Sequence, residues 1–273
     1  MAFGGENAES YHDEGLTAMM KGDLTRAVQF FTRAIQLDES YLAAFHQLGR
    51  CHLRLGQAQR AVEILTQVLS HKPDLIPARL DLAHASLMLG YVDAAQDQFK
   101  EVLTAQPDNW RANLGLAQVC FHKGKWDNAV TLAKAARAQG GANFATLFLL
   151  GRAARLAGNH VLAEDSLKAA ETLIEKSVEL SPDTPEGHYL RGEVSLAQER
   201  ISAALEHFRA AEDRADAKRY YTAFGENFTR LDIMAKRALC LQRLGSVEGA
   251  RELGKQIVAA NPHHQAGRTL ANL

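Results

Sequence analysis

Small residues recur along this chain every 34 positions, and that period limits the fold more than any other feature of the sequence. The first residue of each set is followed seven residues later by glycine and five residues after that by alanine. The three series are Gly15, Gly49, Ala83, Ala117 and Gly151; Gly22, Gly56, Gly90, Gly124 and Gly158; and Ala27, Ala61, Ala95, Ala129 and Ala163. A short helical pair cannot bury its own apolar face and must stack on a copy of itself, so this period predicts a repeat solenoid.

Each small residue has a mechanical role in such a stack. Where two helices of a hairpin cross closely, a side chain larger than alanine would force the backbones apart. The glycine seven residues later suits the end of the first helix, because glycine adopts the left-handed conformation without steric cost. The buried stripe of a second helix is indicated four residues beyond the alanines, by Phe31, Leu65, Phe99 and Leu167. Second helices are predicted to end at Pro73, Pro107, Pro182 and Pro262.

This pattern resembles the tetratricopeptide repeat (TPR) family, which has a small residue at the eighth position, glycine near the fifteenth, alanine at the twentieth and proline at the thirty-second. Residues 42–75 match well, with Gly49, Gly56, Ala61 and Pro73. The resemblance covers nearly the whole chain and implies an all-α fold, an α-α superhelix in which residues 1–273 form a single TPR-like solenoid of helical hairpins. Seven repeats are predicted near 8–41, 42–75, 76–109, 110–143, 144–184, 185–230 and 231–264, followed by a short C-terminal helix at 265–273.

The first departure from the period is an interval of 41 residues between Gly151 and Gly192, which is seven residues longer than the period of 34. Seven residues are almost two helical turns, so the insertion is expected to lengthen the second helix of the fifth repeat by roughly 10 Å and keep its apolar face aligned. Either Ala163 or Ala170 can then serve as the small residue of that helix.

The second departure is an aromatic insertion around Arg219 to Arg230. The spacing of Tyr220, Phe224 and Phe228 suggests a helix that ends near Phe224, while Gly225 and Asn227 suggest a stop and a new N-cap. The rings either pack on a neighbouring helix of this chain or form a contact patch for a partner. That second contact patch would consist of Tyr220, Tyr221 and Phe224.

Composition indicates a soluble protein of the cytoplasm. Lys and Arg total 31 against 32 acidic residues, so a net charge of −1 gives no general attraction to nucleic acid or anionic lipid. Apolar residues make up 47% of the chain, but no run approaches the roughly 20 residues that span a bilayer. The first residues have neither the basic cluster nor the apolar core of a secretory signal. Three cysteines, Cys51, Cys120 and Cys240, lie far apart along the stack and suit a reducing compartment.

Motifs of catalysis and metal binding are missing from the sequence. It has no phosphate-binding glycine loop, no H-E-x-x-H, no C-x-x-C and no G-x-S-x-G. His46, Cys51 and His52 would point in different directions from one helix, so they do not form a metal site. We therefore expect a protein that is not an enzyme and has neither a cofactor nor a metal.

The resemblance also implies a binding surface, because TPR proteins line a concave groove with the second, fifth, ninth, twelfth and thirteenth positions of their first helices. Apolar contact is expected at Phe121, Phe148 and Tyr189, and orientation of the ligand by the arginines. The predicted groove residues are His46, Arg50, Arg54, His84, Gln118, Phe121, His122, Phe148, Arg152, Arg155 and Tyr189.

Two specialised ligand modes of the family find no support in these residues. The positions of the carboxylate clamp read His12, Leu16, Arg50, Leu80 and His84, and no asparagine ladder is present at the sixth position. The sequence therefore predicts a noncatalytic protein-interaction scaffold that binds a peptide or a segment of a partner protein. A regulator that senses a ligand or peptide, and a self-assembling structural array, stay open as alternatives.

Overall fold

A computed structural model of the chain describes residues 7–217, 219–223 and 226–273. The chain divides into two compact units, of which unit 1 ends at Gly141 and unit 2 begins at Ala142. In each unit, antiparallel helices follow one another in hairpins, and each helix packs on the next one along the chain. The all-α fold class predicted from the sequence is confirmed.

Unit 1 consists of four helical hairpins in the part that the structure describes. Its first helices begin at Ala8, Leu42, Ile76 and Trp110, which are the residues where the first four repeats were predicted to begin. The helices are α1 (Ala8–Met20), α2 (Leu24–Leu37), α3 (Leu42–Arg54), α4 (Ala58–His71), α5 (Ile76–Met88), α6 (Val92–Ala105), α7 (Trp110–His122) and α8 (Trp126–Ala138). Buried alanines form the core between them, together with Phe31, Leu65 and Phe99 from α2, α4 and α6.

Close helix crossing explains the small residue at the eighth position. A β-carbon added to Gly15 would lie 2.6 Å from the ring of Phe31, and one added to Gly49 would lie 2.9 Å from Leu65. Both bulky residues are fully buried on the second helix of the same hairpin. The predicted left-handed turn is also present, since Gly22, two residues after the end of α1, has φ of 78°.

Unit 2 contains three further hairpins and a terminal helix among the described residues. Its helices are α9 (Phe144–Leu156), α10 (His160–Leu180), α11 (Pro185–Ala197), α12 (Ile201–Arg214), α13 (Arg230–Arg243), α14 (Val247–Ala260) and α15 (Gln265–Ala271). The seven extra residues of the fifth repeat lie in α10, which has 21 residues where α12 and α14 have 14. Both Ala163 and Ala170 are fully buried on it. The prolines act as predicted, since α4, α6, α10 and α14 each end two residues before one.

The prediction of a helix ending near Phe224 is wrong. Helix α12 ends at Arg214, and strands β1 (Tyr221–Ala223) and β2 (Glu226–Phe228) pair antiparallel, with Tyr221 opposite Phe228. Four-residue spacing of rings fits a helix, but cross-strand pairing places Tyr221 and Phe228 on one side of a hairpin, where both are buried. The new N-cap is Thr229, which forms a capping box with Asp232.

Candidate functional site

The first helices of unit 1 carry a polar cluster between α3 and α5. His46 Nε2 lies 2.8 Å from Asp81 Oδ2, and Arg50 Nε lies 3.8 Å from the same oxygen. Arg50 also donates a hydrogen bond of 3.1 Å to the side-chain oxygen of Gln47, and its own side chain stays exposed. Two predicted groove residues are thus brought together by a carboxylate from the neighbouring first helix.

The C-terminal ends of α1, α3 and α5 carry one cation and two exposed methionines. Arg54 donates to the backbone carbonyl of Met19 at 3.3 Å, which ties the end of α3 to the end of α1. Met20 and Met88, at the thirteenth position of their repeats, are 88% and 46% exposed. Methionine is flexible and polarizable, so such residues suit contact with partners of varied shape.

His84 and Phe121 contribute to packing within their own hairpins. The His84 ring meets Phe99 edge to face, with centroids 5.2 Å apart and an interplanar angle of 70°. Burial of the ring, which removes it from solvent, lowers the pKa of His84, so the neutral form is favoured in the folded state. Phe121 packs in the same way on Trp126, with centroids 5.1 Å apart.

The remaining predicted residues of α7 have contrasting surroundings. His122 is exposed. The side-chain oxygen of Gln118 is buried and accepts no hydrogen bond from the described part of the chain. A water molecule or a donor from a partner would satisfy this oxygen.

In unit 2, two predicted groove residues are buried, and their assignment as exposed apolar contacts needs correction. Phe148 is 6% exposed and stacks on Phe144, with centroids 5.3 Å apart. Tyr189 is 5% exposed and stacks on Phe228 at 3.9 Å. Tyr189 is covered by the β1–β2 hairpin, because Phe228 lies against the ring that the fifth position of α11 would otherwise present. Phe148 is covered by packing that includes Phe144 of its own helix.

Charged residues on the first helices of unit 2 are paired within the unit. The guanidinium carbon of Arg152 lies 5.3 Å from the centroid of the Phe148 ring. Arg155 Nη1 lies 3.3 Å from Glu199 Oε1, and Lys236 Nζ lies 2.7 Å from Glu193 Oε1. These contacts orient the side chains toward residues of the same unit.

The predicted second contact patch divides into a buried and an exposed residue. Tyr221 is 3% exposed, its ring stacks on Phe228, and its hydroxyl accepts a hydrogen bond of 2.6 Å from the backbone N–H of Asp216. Of the two alternatives given for these rings, Tyr221 follows the first, since it packs within its own chain. Tyr220 is 55% exposed and is available for contact. Phe224 lies outside the described residues.

The described part of the chain shows little that would support metal binding or a reactive thiol. No group of three His, Cys, Asp or Glu side chains there is arranged to hold a metal ion. Burial raises the pKa of the Cys51 and Cys240 thiols to about 11, which keeps them protonated and unreactive near neutral pH.

Sequence reasoning missed three residues of the unit 1 face. Asp81 occupies the sixth position of its repeat, and its pairing with His46 depends on the neighbouring helix. Trp110 and Arg111 line a cleft beside α5. The family rule could have found Arg111, since it occupies the second position of the fourth repeat.

Stacked helical hairpins, small residues at the helix crossings and left-handed glycines after six of the seven described first helices define an α-α repeat protein. One tetratricopeptide repeat model matches residues 80–143, 123–173 and 163–219, and a second model of the same repeat matches 18–74 and 53–100. The chain belongs to the tetratricopeptide repeat family. Among curated proteins, no sequence matches it.

Solved structures share this fold at low sequence identity. A tetratricopeptide repeat protein from Parabacteroides merdae is 14% identical, with a TM-score of 0.61 and 98% of each chain covered. A structure described as the APC/C hetero-tetramer Cut9-Hcn1 is 16% identical, with a TM-score of 0.64, and the match covers 94% of this chain and 47% of that one. MamA from Desulfovibrio magneticus is 19% identical, with a TM-score of 0.54 over 63% of this chain and 97% of its own. Within the described ranges, none of the helices has the length and apolar character needed to cross a membrane.

Proposed function

We propose that this protein is a noncatalytic interaction scaffold, and that the first helices of unit 1 bind a segment of a partner protein. The observation that supports this most is the exposure of Met20, Arg50 and Met88 along one set of helices. Methionine and arginine are enriched in protein interfaces, where they combine apolar area with adaptable shape or hydrogen-bonding tips. A partner segment that crosses α1, α3 and α5 would bury these side chains together.

The polar cluster of α3 and α5 would orient such a segment. Arg50 lies 3.8 Å from Asp81, a distance that leaves its guanidinium able to donate to a second acceptor. Tetratricopeptide repeat proteins generally bind other proteins, and an acidic or carboxamide side chain of the partner would suit this position.

The three cysteines, all unpaired, fit the reducing cytoplasm that we propose as the location.

Capture of partners by immobilised protein tests the proposal with matched variants. The variant Arg50→Glu with Met88→Glu adds three negative charges to the unit 1 face. The control Lys100→Glu with Thr66→Glu adds the same charge to exposed sites on α6 and α4. We expect proteins captured by the wild type to be lost with the first variant and retained with the control. Equal capture by both variants would place the binding surface elsewhere.

A further inference from the structure

A cleft of about 590 Å³ opens in unit 1, where the N-terminal ends of α5 and α7 lie beside the loop between α6 and α7. Apolar groups of Ile76, Pro77, Leu80, Pro107 and Trp110 form much of its wall. The volume falls within the range of about 300–1,000 Å³ typical of ligand pockets. Because Pro77 and Leu80 occupy the second and fifth positions of their repeat, the cleft belongs to the same face as the proposed binding surface.

The walls of this cleft are held in place by local structure. Pro77 lies in the first turn of α5, where its fixed φ suits the helix. Trp110 begins α7 and packs against Gly141 so closely that a β-carbon there would lie 2.8 Å from the indole. Asn109 caps the same helix by accepting a 3.1 Å hydrogen bond from the backbone N–H of Ala112. A ligand would therefore meet a cleft that is already formed.

Arg111 is the cation that lines this cleft. The guanidinium carbon of Arg111 lies 5.4 Å from the centroid of the Trp110 ring, and the side chain is exposed. In the part of the chain that the structure describes, Arg111 forms no ion pair. Asp108 also lines the cleft, but its carboxylate accepts a hydrogen bond from Gln139 at 3.3 Å. Arg111 is thus the cation of the cleft and has no carboxylate partner among the described residues, whereas the Asp108 carboxylate is held by the neutral amide of Gln139.

We propose that this cleft anchors a partner-protein segment that carries a large apolar side chain next to an acidic residue. The apolar side chain would fill the space beside Leu80 and Trp110, and the carboxylate would pair with Arg111. Charge complementarity supports an acidic neighbour, since a guanidinium and a carboxylate form strong, directional hydrogen bonds. This inference rests on the proposed function, because it assigns ligand chemistry to one end of the unit 1 face.

Tryptophan fluorescence provides a direct test. The chain has two tryptophans, so Trp126→Phe leaves Trp110 as the reporter within the cleft. The probe is the peptide acetyl-Gly-Phe-Glu-Gly-amide at millimolar concentration, and its neutral counterpart has Gln in place of Glu. We expect a saturable change with the acidic peptide and binding about tenfold weaker with the neutral one, as the loss of a charge-assisted hydrogen bond implies. No saturable change with the acidic peptide, or equal affinity for both peptides, would overturn the proposal.

Two arginine variants complete the experiment. In the same Trp126→Phe background, Arg111→Gln should bind the acidic peptide as weakly as the neutral one, while the control Arg137→Gln, exposed on α8, should leave its affinity unchanged. Unchanged affinity in Arg111→Gln would contradict the assigned role. If partner capture is lost with Arg50→Glu and Met88→Glu but no peptide binds the cleft, the assignment of this cleft as an anchor is wrong. The proposed function of the unit 1 face is then still supported.

Discussion

The two units present the same repeat positions on their first helices, but they differ in what covers those positions. In unit 1, Arg50 and Met88 are exposed at the ninth and thirteenth positions. In unit 2, Tyr189 at the fifth position lies under the β1–β2 hairpin, and Arg155 at the twelfth is paired with Glu199. The repeat register therefore determines which side chains face the groove side, whereas insertions and local pairing determine which of them a partner can reach.

This difference directs the search for a ligand toward unit 1. A buried ring contributes to the stability of its own unit, and a paired charge must give up its partner before it can bind a new one. Exposed methionine carries neither cost, and Arg50 lies 3.8 Å from Asp81 with its side chain exposed, so it can donate to a second acceptor while it keeps this partner. Variants that separate the two roles should therefore change stability in unit 2 and recognition in unit 1.

The largest effect is expected at the centre of the unit 2 ring stack. Phe228→Ala removes a ring that is 1% exposed and lies 3.9 Å from Tyr189, so it should cost about 3–5 kcal/mol of the free energy of unfolding. Urea denaturation followed by circular dichroism measures this change. The control Tyr220→Ala removes an exposed ring of the same segment and should change the stability by at most about 0.5 kcal/mol. Similar costs for the two variants would mean that the hairpin does not cover unit 2.

The β1–β2 hairpin shows which kind of contact could not be predicted from the sequence. Contacts within a repeat depend on residues at fixed offsets, so Gly15 against Phe31 follows from the period. The burial of Tyr189 depends on a strand pair that forms in an insertion without a repeat of its own. Rings four residues apart favour a helix locally, and the tertiary contact with Tyr189 outweighs that preference. The pairing of His46 with Asp81 escaped prediction for a similar reason, since it joins two repeats.

The second-largest change in stability is expected at a helix crossing in unit 1, and it tests the assigned repeat register. Ala95 is fully buried on α6 where it packs with Phe99, so Ala95→Leu should force the helices apart and cost about 1–3 kcal/mol. The control Ala105→Leu adds the same side chain at the exposed end of that helix. Thermal unfolding of both variants compares them. Comparable midpoints would show that the assigned register of this hairpin is incorrect.

A smaller effect compares charges in the two units. Lys236→Met leaves the largely buried carboxylate of Glu193 without its cation and should cost about 1–2 kcal/mol. Arg50→Met removes an exposed cation of unit 1 and should cost less than about 0.5 kcal/mol. Urea titrations of both variants measure these values. Adding Glu193→Gln to Lys236→Met should recover part of the loss, and no recovery would argue against an ion pair in solution.

The smallest effect is expected at the turn after α11. There, Glu199 occupies the position at which glycine follows the first helices of unit 1. Glu199 has φ of 61°, a left-handed conformation that costs a side-chain-bearing residue about 1–2 kcal/mol, and its carboxylate lies 3.3 Å from Arg155. Glu199→Gly removes this strain but makes the unfolded chain more flexible, so the net gain in stability should be about 0.5–1 kcal/mol. Glu199→Gln keeps the strain and loses the charge, which isolates the ion pair. Unfolding free energies should rank the glycine variant above the wild type and the glutamine variant at or slightly below it. If the glycine variant is instead the least stable of the three, the ion pair with Arg155 outweighs the backbone strain at this turn.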